Sequence, residues 1–167
     1  QCIDISIDRP KLNFLNSISN ENITLSCDLV VGADGAFSAV RTKMAQQDNF
    51  HFSQYNIEHG YKELLIPANN SGKHKIEKNA LHIWPRGSFM LIALPNLDGS
   101  YTCTLFSPFK GKDSFQDLDS PQKVEEFFNR VFGDFTPLIP DLVDQFFKNP
   151  TSSMGIFKCF PWHLNNH

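Results

Sequence analysis

The stretch LHIWPRGSFMLIALPNLDGSYTCTLFSPF, Leu81 to Phe109, decides the fold of most of this chain. Three short runs of this stretch are rich in apolar, aromatic and β-branched residues, a composition typical of β-strands. The runs cover 80–84, 88–94 and 100–106. They are separated by two turn-like segments, Pro85-Arg86-Gly87 and Pro95-Asn96-Leu97-Asp98-Gly99. Connections this short predict three antiparallel neighbouring strands.

Alternate side chains of a strand point to opposite faces of its sheet, so the three strands define two faces. The first face carries Leu81, Ile83, Met90, Ile92, Leu94, Thr102, Thr104 and Phe106. The second carries His82, Trp84, Phe89, Leu91, Ala93, Cys103 and Leu105. Both faces are largely apolar, so we expect both to be covered. Helices can cover one side, and either more protein core or a flat hydrophobic ligand can cover the other.

Two helices are predicted after these strands. Ser120-Pro121 has the composition of a helix start, with serine as the N-cap and proline at the first position. The apolar residues that follow recur at helical spacing and give this helix one apolar face. They are Val124, Phe127, Phe128, Val131 and Phe132. A shorter helix is predicted over 140–147 and a last strand over 154–160. The 16 phenylalanines indicate a large apolar core or an aromatic-lined cavity.

The residues before the sheet are predicted to form strands joined by polar turns. The predicted strands are Cys2–Ile7, Leu12–Leu15 after a turn at Pro10, Ile23–Leu25, Phe50–Phe52 and His59–Ile66. The polar segment Asn69–Lys78 is expected to be a mobile loop.

A second informative stretch is DLVVGADGAFSAVR, Asp28 to Arg41. The apolar run Leu29–Val31 predicts a buried strand, and Ser38 is a candidate N-cap for a helix near 38–46. Glycines before and after Asp34 allow close approach of the backbone and positive φ angles. The N–H groups at the start of the helix could then face phosphate oxygens. Asp34 alone could also serve only to cap the turn.

Composition excludes several classes of function. A net charge of −3, with scattered Lys and Arg, argues against nucleic acid as the main partner. No apolar run approaches the ~20 residues that a membrane-spanning helix needs. The four cysteines lie far apart without a CxxC pair, which favours single buried thiols in a reducing, cytoplasmic setting. The six histidines show no metal-ligand spacing, so we expect no metal site.

Several motifs carry a resemblance to a known family. GADGAFSAVR resembles the conserved Asp-Gly motif of class A flavoprotein aromatic hydroxylases, the group built like 4-hydroxybenzoate hydroxylase. The segments HGYKELLIP, LHIWPRGSFMLIALPN and YTCTLFSPF resemble the kynurenine 3-monooxygenase family more specifically, and the likeness continues through FGDFTPLIP and FKCFPWHL. Many flavoproteins share the short Asp-Gly motif, whereas the HIWPR and MLIALPN pair at this spacing is more specific.

The resemblance implies an α+β fold: a mostly antiparallel or mixed β-sheet covered by helices, with a piece of the FAD-binding domain. Residues 1–48 would belong to the FAD-binding domain and include the Asp-Gly motif. Residues 49–152 would form the substrate-binding sheet domain, and residues 153–167 a return strand toward the FAD-binding domain. The family's phosphate-binding GxGxxG and its second FAD motif do not occur in this sequence. We therefore expect an internal fragment of a longer enzyme that is inactive alone.

The resemblance also implies roles for individual residues. The expected cofactor-binding residues are Gly32, Asp34, Gly35, Ala39 and Arg41. The expected substrate-binding residues are Leu81, Ile83, Met90, Ile92, Leu94 and Phe106. In the family the Asp-Gly turn lies where the FAD pyrophosphate and the nicotinamide cofactor approach each other. Because a carboxylate repels phosphates, we expect Asp34 to act through water or by fixing Arg41 and the backbone. No residue is a convincing catalytic acid, base or nucleophile.

The longer enzyme would use FAD, NADPH and molecular oxygen to convert L-kynurenine to 3-hydroxykynurenine, adding oxygen to the ring carbon ortho to the amino group. Two alternatives stay open at this point. One is a related flavin monooxygenase that acts on another aromatic substrate. The other is a non-catalytic module that binds a ligand without flavin.

Overall fold

The structure is a computed structural model that describes residues 1–6 and 11–164. The chain divides into two compact units, one of Gln1–Tyr55 with Gly155–His167 and one of Asn56–Met154. Antiparallel strands and three helices give the α+β class that the sequence predicts. The expectations for Ile7 and for the turn at Pro10 lie outside the described residues.

The elements follow the predicted order with adjusted limits. The strands are β1 (Cys2–Ser6), β2 (Lys11–Leu15), β3 (Asn22–Ser26), β4 (His51–Ile66), β5 (His82–Arg86), β6 (Phe89–Pro95), β7 (Tyr101–Pro108) and β8 (Thr151–Phe160). The helices are α1 (Ala39–Met44), α2 (Pro121–Val131) and α3 (Leu142–Lys148), and 3₁₀ turns occur at Gly35–Phe37 and Thr136–Leu138. One sheet has the order β1-β2-β3, and the other has the order β5-β6-β7-β4-β8.

The three strands of the opening stretch are confirmed, but the first turn is shorter than predicted. Pro85 and Arg86 belong to β5, and the two residues Gly87 and Ser88 connect it to β6. Gly87 has a φ of 63°, the left-handed conformation that such a turn requires. Proline is tolerated inside β5 because this strand lies at the edge of the sheet, where one side of its backbone has no partner strand.

Strand β4 is continuous from His51 to Ile66, where the sequence predicted two shorter strands. The linking residues Ser53–Glu58 are mainly polar and exposed. Their side chains therefore carry no hydrophobic alternation, and backbone pairing in the sheet keeps them extended.

The strand register confirms that the predicted first-face residues point to the same side. Ile83 lies opposite Ile92, and Ile92 lies opposite Thr104 on the next strand. Met90 lies opposite Phe106 in the same way. Among the described residues, helices cover only the second face, and the expectation that a ligand or more protein covers the first face stays a prediction. Leu81, Ile83 and Leu94 are each about half exposed, at 52%, 51% and 49%.

The second face is the core of the Asn56–Met154 unit. Leu91, Ala93, Cys103 and Leu105 are completely buried on the sheet side. Helix α2 begins as predicted at the Ser120 cap, whose hydroxyl accepts a hydrogen bond from the Lys123 amide. The helical side of this core is built from buried aromatic and aliphatic residues. They are Val124, Phe127, Phe128, Phe132, Phe135, Ile139, Leu142 and Phe146.

The phenylalanines therefore build a core rather than a cavity. The Phe127 ring meets Phe89 of β6 edge to face, with 5.1 Å between ring centroids. Phe135 meets the Trp84 ring of β5 at 5.3 Å. Edge-to-face pairs of this kind add stability beyond the burial of their area. Aromatic rings from α2 and from the residues after it thus pack the helices against this side of the sheet.

Two cationic side chains anchor the sheet to the ends of the helices. Arg86 donates hydrogen bonds to the Val131 carbonyl at the end of α2 and to both carboxylate oxygens of Asp134. Lys62 is buried on the core side of β4 and donates to the Asn149 carbonyl just after α3. Burial lowers the pKa of the Lys62 ammonium group. Cations at helix C-termini oppose the negative end of the helix dipole, so both contacts stabilise the packing.

The loop expected to be mobile is held by several contacts. The Tyr101 hydroxyl donates a 2.6 Å hydrogen bond to the Ile76 carbonyl, and Lys75 donates to the Leu138 carbonyl. The Ile76 side chain packs against the core.

The prediction of a buried strand at Leu29–Val31 is wrong. These residues are irregular, and Leu29 and Val31 are 68% and 78% exposed. An apolar β-branched run becomes a buried strand only where neighbouring strands pair with its backbone. No strand among the described residues pairs with this run.

The thiols also differ from expectation, because only Cys103 is buried and Cys2 and Cys159 are half-buried. Burial raises the pKa of the Cys103 thiol to about 12.

Because only one face of β6 packs against the core, substitutions at neighbouring positions of this strand should lower the free energy of unfolding by unequal amounts. Leu91→Ala empties a fully buried site and should lower the free energy of unfolding by about 2–5 kcal/mol. Ile92→Ala, on the half-buried side, should cost clearly less, because fewer packing contacts are lost. Urea denaturation of the full-length variants measures both values. Equal losses would contradict a core on one face only.

Candidate functional site

The Asp-Gly turn lies against a cavity of about 690 Å³ within the unit that contains the N-terminus. Among the expected cofactor-binding residues, Gly32, Asp34, Gly35 and Arg41 line this cavity, whereas Ala39 does not. Further lining residues come from β1, from α1 and from the segment after β8. The structure therefore brings four of the five residues to one hollow.

The Asp34 carboxylate caps helix α1. It accepts hydrogen bonds from the amides of Ala39 at 2.7 Å and Val40 at 3.3 Å. The Ser38 hydroxyl donates to the same carboxylate and accepts from the Arg41 amide at 2.9 Å. The first three amides of the helix are thus paired with side chains of the motif itself. These amides are therefore already paired, and the expectation that they face phosphate oxygens stays a prediction.

The charge of Asp34 is stabilised by the same contacts. Partial burial raises the pKa of the Asp34 carboxyl group, but hydrogen bonds from Ser38, Val40 and Ala39 outweigh that effect. The net pKa is lower than the ordinary value of 3.8. Hydrogen bonds to the charged form favour that form, so the folded turn favours an ionised aspartate.

Arg41 is held by backbone carbonyls and aromatic rings. Its guanidinium donates hydrogen bonds to the carbonyls of Gly35, at 3.1 Å, and Ala36. It also lies 5.1 Å from the ring centroid of Phe52 and 4.7 Å from that of Phe157. A guanidinium between two aromatic faces gains cation–π attraction and loses freedom to move. Arg41 therefore fastens the turn itself, and its hydrogen bonds go to carbonyls rather than to Asp34.

The two glycines of the turn are required for different reasons. Gly35 has a φ of 73°, which strains any residue that carries a Cβ atom. At Gly32 a Cβ atom would lie 2.8 Å from the Cβ of Val40, too close for two carbon atoms. Gly32 thus permits close packing between the turn and α1, and Gly35 permits the left-handed bend.

The residues expected to bind substrate lie together on one face of the sheet in the Asn56–Met154 unit. We call it the open face and define it by the first-face side chains of β5, β6 and β7 together with Leu81. The strand register places Ile83, Met90, Ile92, Leu94 and Phe106 on this face, and Leu81 directly precedes β5. Ile92 and Phe106 are half-buried, while Leu81, Ile83, Met90 and Leu94 are more exposed. These side chains form an apolar surface of the kind that a flat aromatic ring contacts well.

Sequence reasoning missed the part of the open face that β4 contributes. In the register, Tyr61 lies opposite Phe106, Glu63 opposite Thr104 and Leu65 opposite Thr102. The alternation within His59–Ile66 was visible in the sequence. The position of β4 beside β7 was not, because nothing local indicates which distant strand completes a sheet.

Residues 1–6 and 11–164 lack two kinds of feature. No group of three or more His, Cys, Asp or Glu side chains is arranged to hold a metal ion. No helix in the same part of the chain is long and apolar enough to cross a membrane.

Comparison with known proteins shows what this chain is similar to. No protein-family model matches the chain. Kynurenine 3-monooxygenase from Flavobacterium psychrophilum is 53% identical over 159 residues, which cover 95% of this chain and 36% of that protein. The chain is a relative of the kynurenine 3-monooxygenases. The enzymes of that name from Dictyostelium discoideum and Sus scrofa are 51% and 42% identical, over 95% of this chain and 34% of each protein. The chain thus spans about a third of the length of these relatives, and the family resemblance is confirmed.

Solved structures show the same fold at low sequence identity. The tetrameric form of 2-methyl-3-hydroxypyridine-5-carboxylic acid oxygenase matches 92% of this chain and 38% of its own, with 20% identity and a TM-score of 0.56. Klebsiella pneumoniae HpxO, complexed with FAD and uric acid, matches 96% of this chain and 37% of its own, with 15% identity and a TM-score of 0.52. These likenesses confirm the α+β fold class.

The cap on α1 predicts a pH-dependent cost for losing Asp34. Asp34→Ala removes the acceptor for two helix amides and should cost about 1 kcal/mol at pH 7. Because the pKa is lower in the folded state, this contribution is present above the unfolded value near 3.8 and is lost as the pH falls through the folded pKa. Denaturation of the full-length variant between pH 7 and pH 3 measures the difference from wild type.

Asp28→Ala is the matched control, because Asp28 lines the same cavity but does not cap the helix. If Asp28→Ala and Asp34→Ala are equally mild at pH 7, the cap does not stabilise the turn.

Proposed function

We propose that this chain forms part of an FAD-dependent monooxygenase that uses NADPH and molecular oxygen to convert L-kynurenine to 3-hydroxykynurenine. The proposal rests mainly on the 53% identity to kynurenine 3-monooxygenase over 95% of the chain. The open apolar face and the Asp-Gly cavity support it independently, since an aromatic hydroxylase needs a surface for a ring and a site for its flavin.

Under this proposal, the Gln1–Tyr55 unit with residues 155–167 belongs to the FAD-binding domain and the Asn56–Met154 unit binds the substrate. HpxO, which shares the fold, is complexed with FAD. When bound, FAD supplies the oxygen-transfer chemistry. In this chain the Gly32–Gly35 turn would provide a wall of the flavin site. The amides of α1 are already paired, so the residues here fit FAD only as one side of its site.

Asp34 and Arg41 would act on the cofactors by holding the turn in shape. Asp34 fixes the start of α1, and Arg41 fixes the carbonyls of Gly35 and Ala36. A turn fastened at both ends presents the same backbone surface to every incoming cofactor, and preorganisation of this kind lowers the cost of binding. This role agrees with the expected position of the turn beside FAD and the nicotinamide cofactor.

The open face would hold the aromatic ring and exclude water from it. Ile92 and Phe106 supply half-buried apolar contacts, and Phe106 can meet the substrate ring edge to face. Removal of water protects the reaction at the flavin from side reactions. These side chains contain no acid or base, so they would position the ring rather than move protons.

The proposal predicts the behaviour of the purified full-length protein. It should bind FAD, and L-kynurenine should accelerate its oxidation of NADPH and yield 3-hydroxykynurenine, detected by liquid chromatography with mass spectrometry. Phe106→Ala and Ile92→Ala should each weaken kynurenine affinity roughly tenfold, or by about 1–2 kcal/mol. Leu91→Ala, on the core side, should leave the affinity of the folded protein nearly unchanged.

The proposed substrate would be wrong if 4-hydroxybenzoate were hydroxylated and kynurenine were not. The proposed binding surface would be wrong if Leu91→Ala weakened binding while Phe106→Ala and Ile92→Ala had no effect.

A further inference from the structure

One carboxylate projects onto the otherwise apolar open face. Side chains alternate along β4, and Lys62 points to the core, where its ammonium lies 4.8 Å from the ring centroid of Phe146. The next residue, Glu63, therefore points to the opposite side and is exposed. Its neighbour across the strands is Thr104, a first-face residue. Glu63 thus places a carboxylate at the β4 side of the open face.

The register fixes the position of this charge relative to the ring-binding residues. Glu63, Thr104, Ile92 and Ile83 form a single row across β4, β7, β6 and β5. Neighbouring strands lie about 4.8 Å apart, so the Glu63 backbone is about 10 Å from that of Ile92. A ligand whose ring contacts Ile92 and Phe106 can reach Glu63 with a short flexible chain that passes over Thr104.

The backbone around Glu63 is held by side chains of α3 and its C-cap. Asn149 donates a 2.8 Å hydrogen bond to the Glu63 carbonyl. Gln145 accepts from the Leu65 amide at 2.6 Å and donates to the Leu65 carbonyl at 3.0 Å. Within the described residues, the Glu63 carboxylate itself makes no hydrogen bond or ion pair. The backbone at Glu63 is therefore fixed, while its carboxylate remains available to a ligand.

Kynurenine has the chemical groups that match this arrangement. It is an α-amino acid whose aromatic ring is joined to the α-carbon by a carbonyl and a methylene group. With the ring over Ile92, the protonated α-amino group can lie at the β4 side of the face. A carboxylate and an ammonium group form a charge-assisted hydrogen bond, stronger than one between neutral groups.

We propose that Glu63 determines substrate specificity by accepting a hydrogen bond from the α-ammonium group of kynurenine. This inference rests on the proposed function and adds a recognition residue to it. The same carboxylate disfavours aromatic acids without an amine, because their carboxylate meets a like charge and gains no compensating contact. Glu63 thus separates aromatic amino acids from simple aromatic acids that fit the same apolar face.

The test compares two ligands in the full-length protein loaded with FAD. One is L-kynurenine, and the other is 3-(2-aminobenzoyl)propanoate, which has the same ring and chain but lacks the α-amino group. Glu63→Gln keeps the size of the side chain and removes its charge. It should weaken kynurenine binding about tenfold and leave the affinity for 3-(2-aminobenzoyl)propanoate unchanged or higher. Titration calorimetry measures both affinities, and melting temperatures confirm that each variant is folded.

Glu125→Gln is the control, because Glu125 is an equally exposed carboxylate on α2. It should change neither affinity. The inference is overturned if Glu63→Gln leaves kynurenine binding intact or weakens both ligands equally. If Ile92→Ala weakens kynurenine binding while Glu63→Gln does not, only the role of Glu63 fails. If the wild-type protein binds neither ligand, the proposed function fails as well.

Discussion

The packing of phenylalanine rings against one face of the β5-β6-β7 hairpins determines what the other face can do. Phe127, Phe128 and Phe135 seal the side that carries Leu91 and Leu105. Because successive residues of a strand alternate, this seal directs the intervening side chains away from the core. The same order of residues along the strands that builds a stable core on one side therefore leaves an apolar surface on the other. A single set of strands thus forms the core on one side and, under the proposed function, the surface that binds the substrate ring on the other.

In the Asp-Gly turn the constraint is different, because the polar side chains form hydrogen bonds with nearby backbone groups. Asp34, Ser38 and Arg41 each pair with backbone groups of the same fourteen-residue stretch. A helix N-terminus that is capped in this way has no spare amides for a phosphate group. The charged residues of the motif thus build a rigid surface, and under the proposed function they contribute to the cofactor site through the shape of that surface.

The sequence predicted the elements well where patterns were local. The short runs and turns of 81–106 predicted the hairpins and the two faces, and Ser120-Pro121 predicted the start of α2. Both signals depend only on near neighbours in the chain. It failed where the outcome depends on distant partners. Leu29–Val31 has the composition of a buried strand but lacks a paired strand among the described residues. The place of Glu63 on the open face depended on β4 lying beside β7, which no local pattern encodes.

The site was predictable to a similar degree and for the same reasons. Five of the six residues expected to bind substrate share one face in the strand register, since side chains on one face of a strand recur with a period of two. The pairing of the α1 amides was not predictable, because composition alone cannot show that Asp34 folds back onto Ala39 and Val40. Hydrogen bonds between a side chain and a nearby backbone compete with ligand binding, and only the structure shows which one is formed.

The most direct test is a crystal structure of the full-length protein with FAD and L-kynurenine bound. The account predicts that the kynurenine ring contacts Ile92 and Phe106 with carbon atoms about 4 Å apart. It also predicts that the Asp34 carboxylate still accepts from the amides of Ala39 and Val40 when the flavin is present. A ring bound away from the open face, or α1 amides turned onto the FAD phosphates, would contradict it.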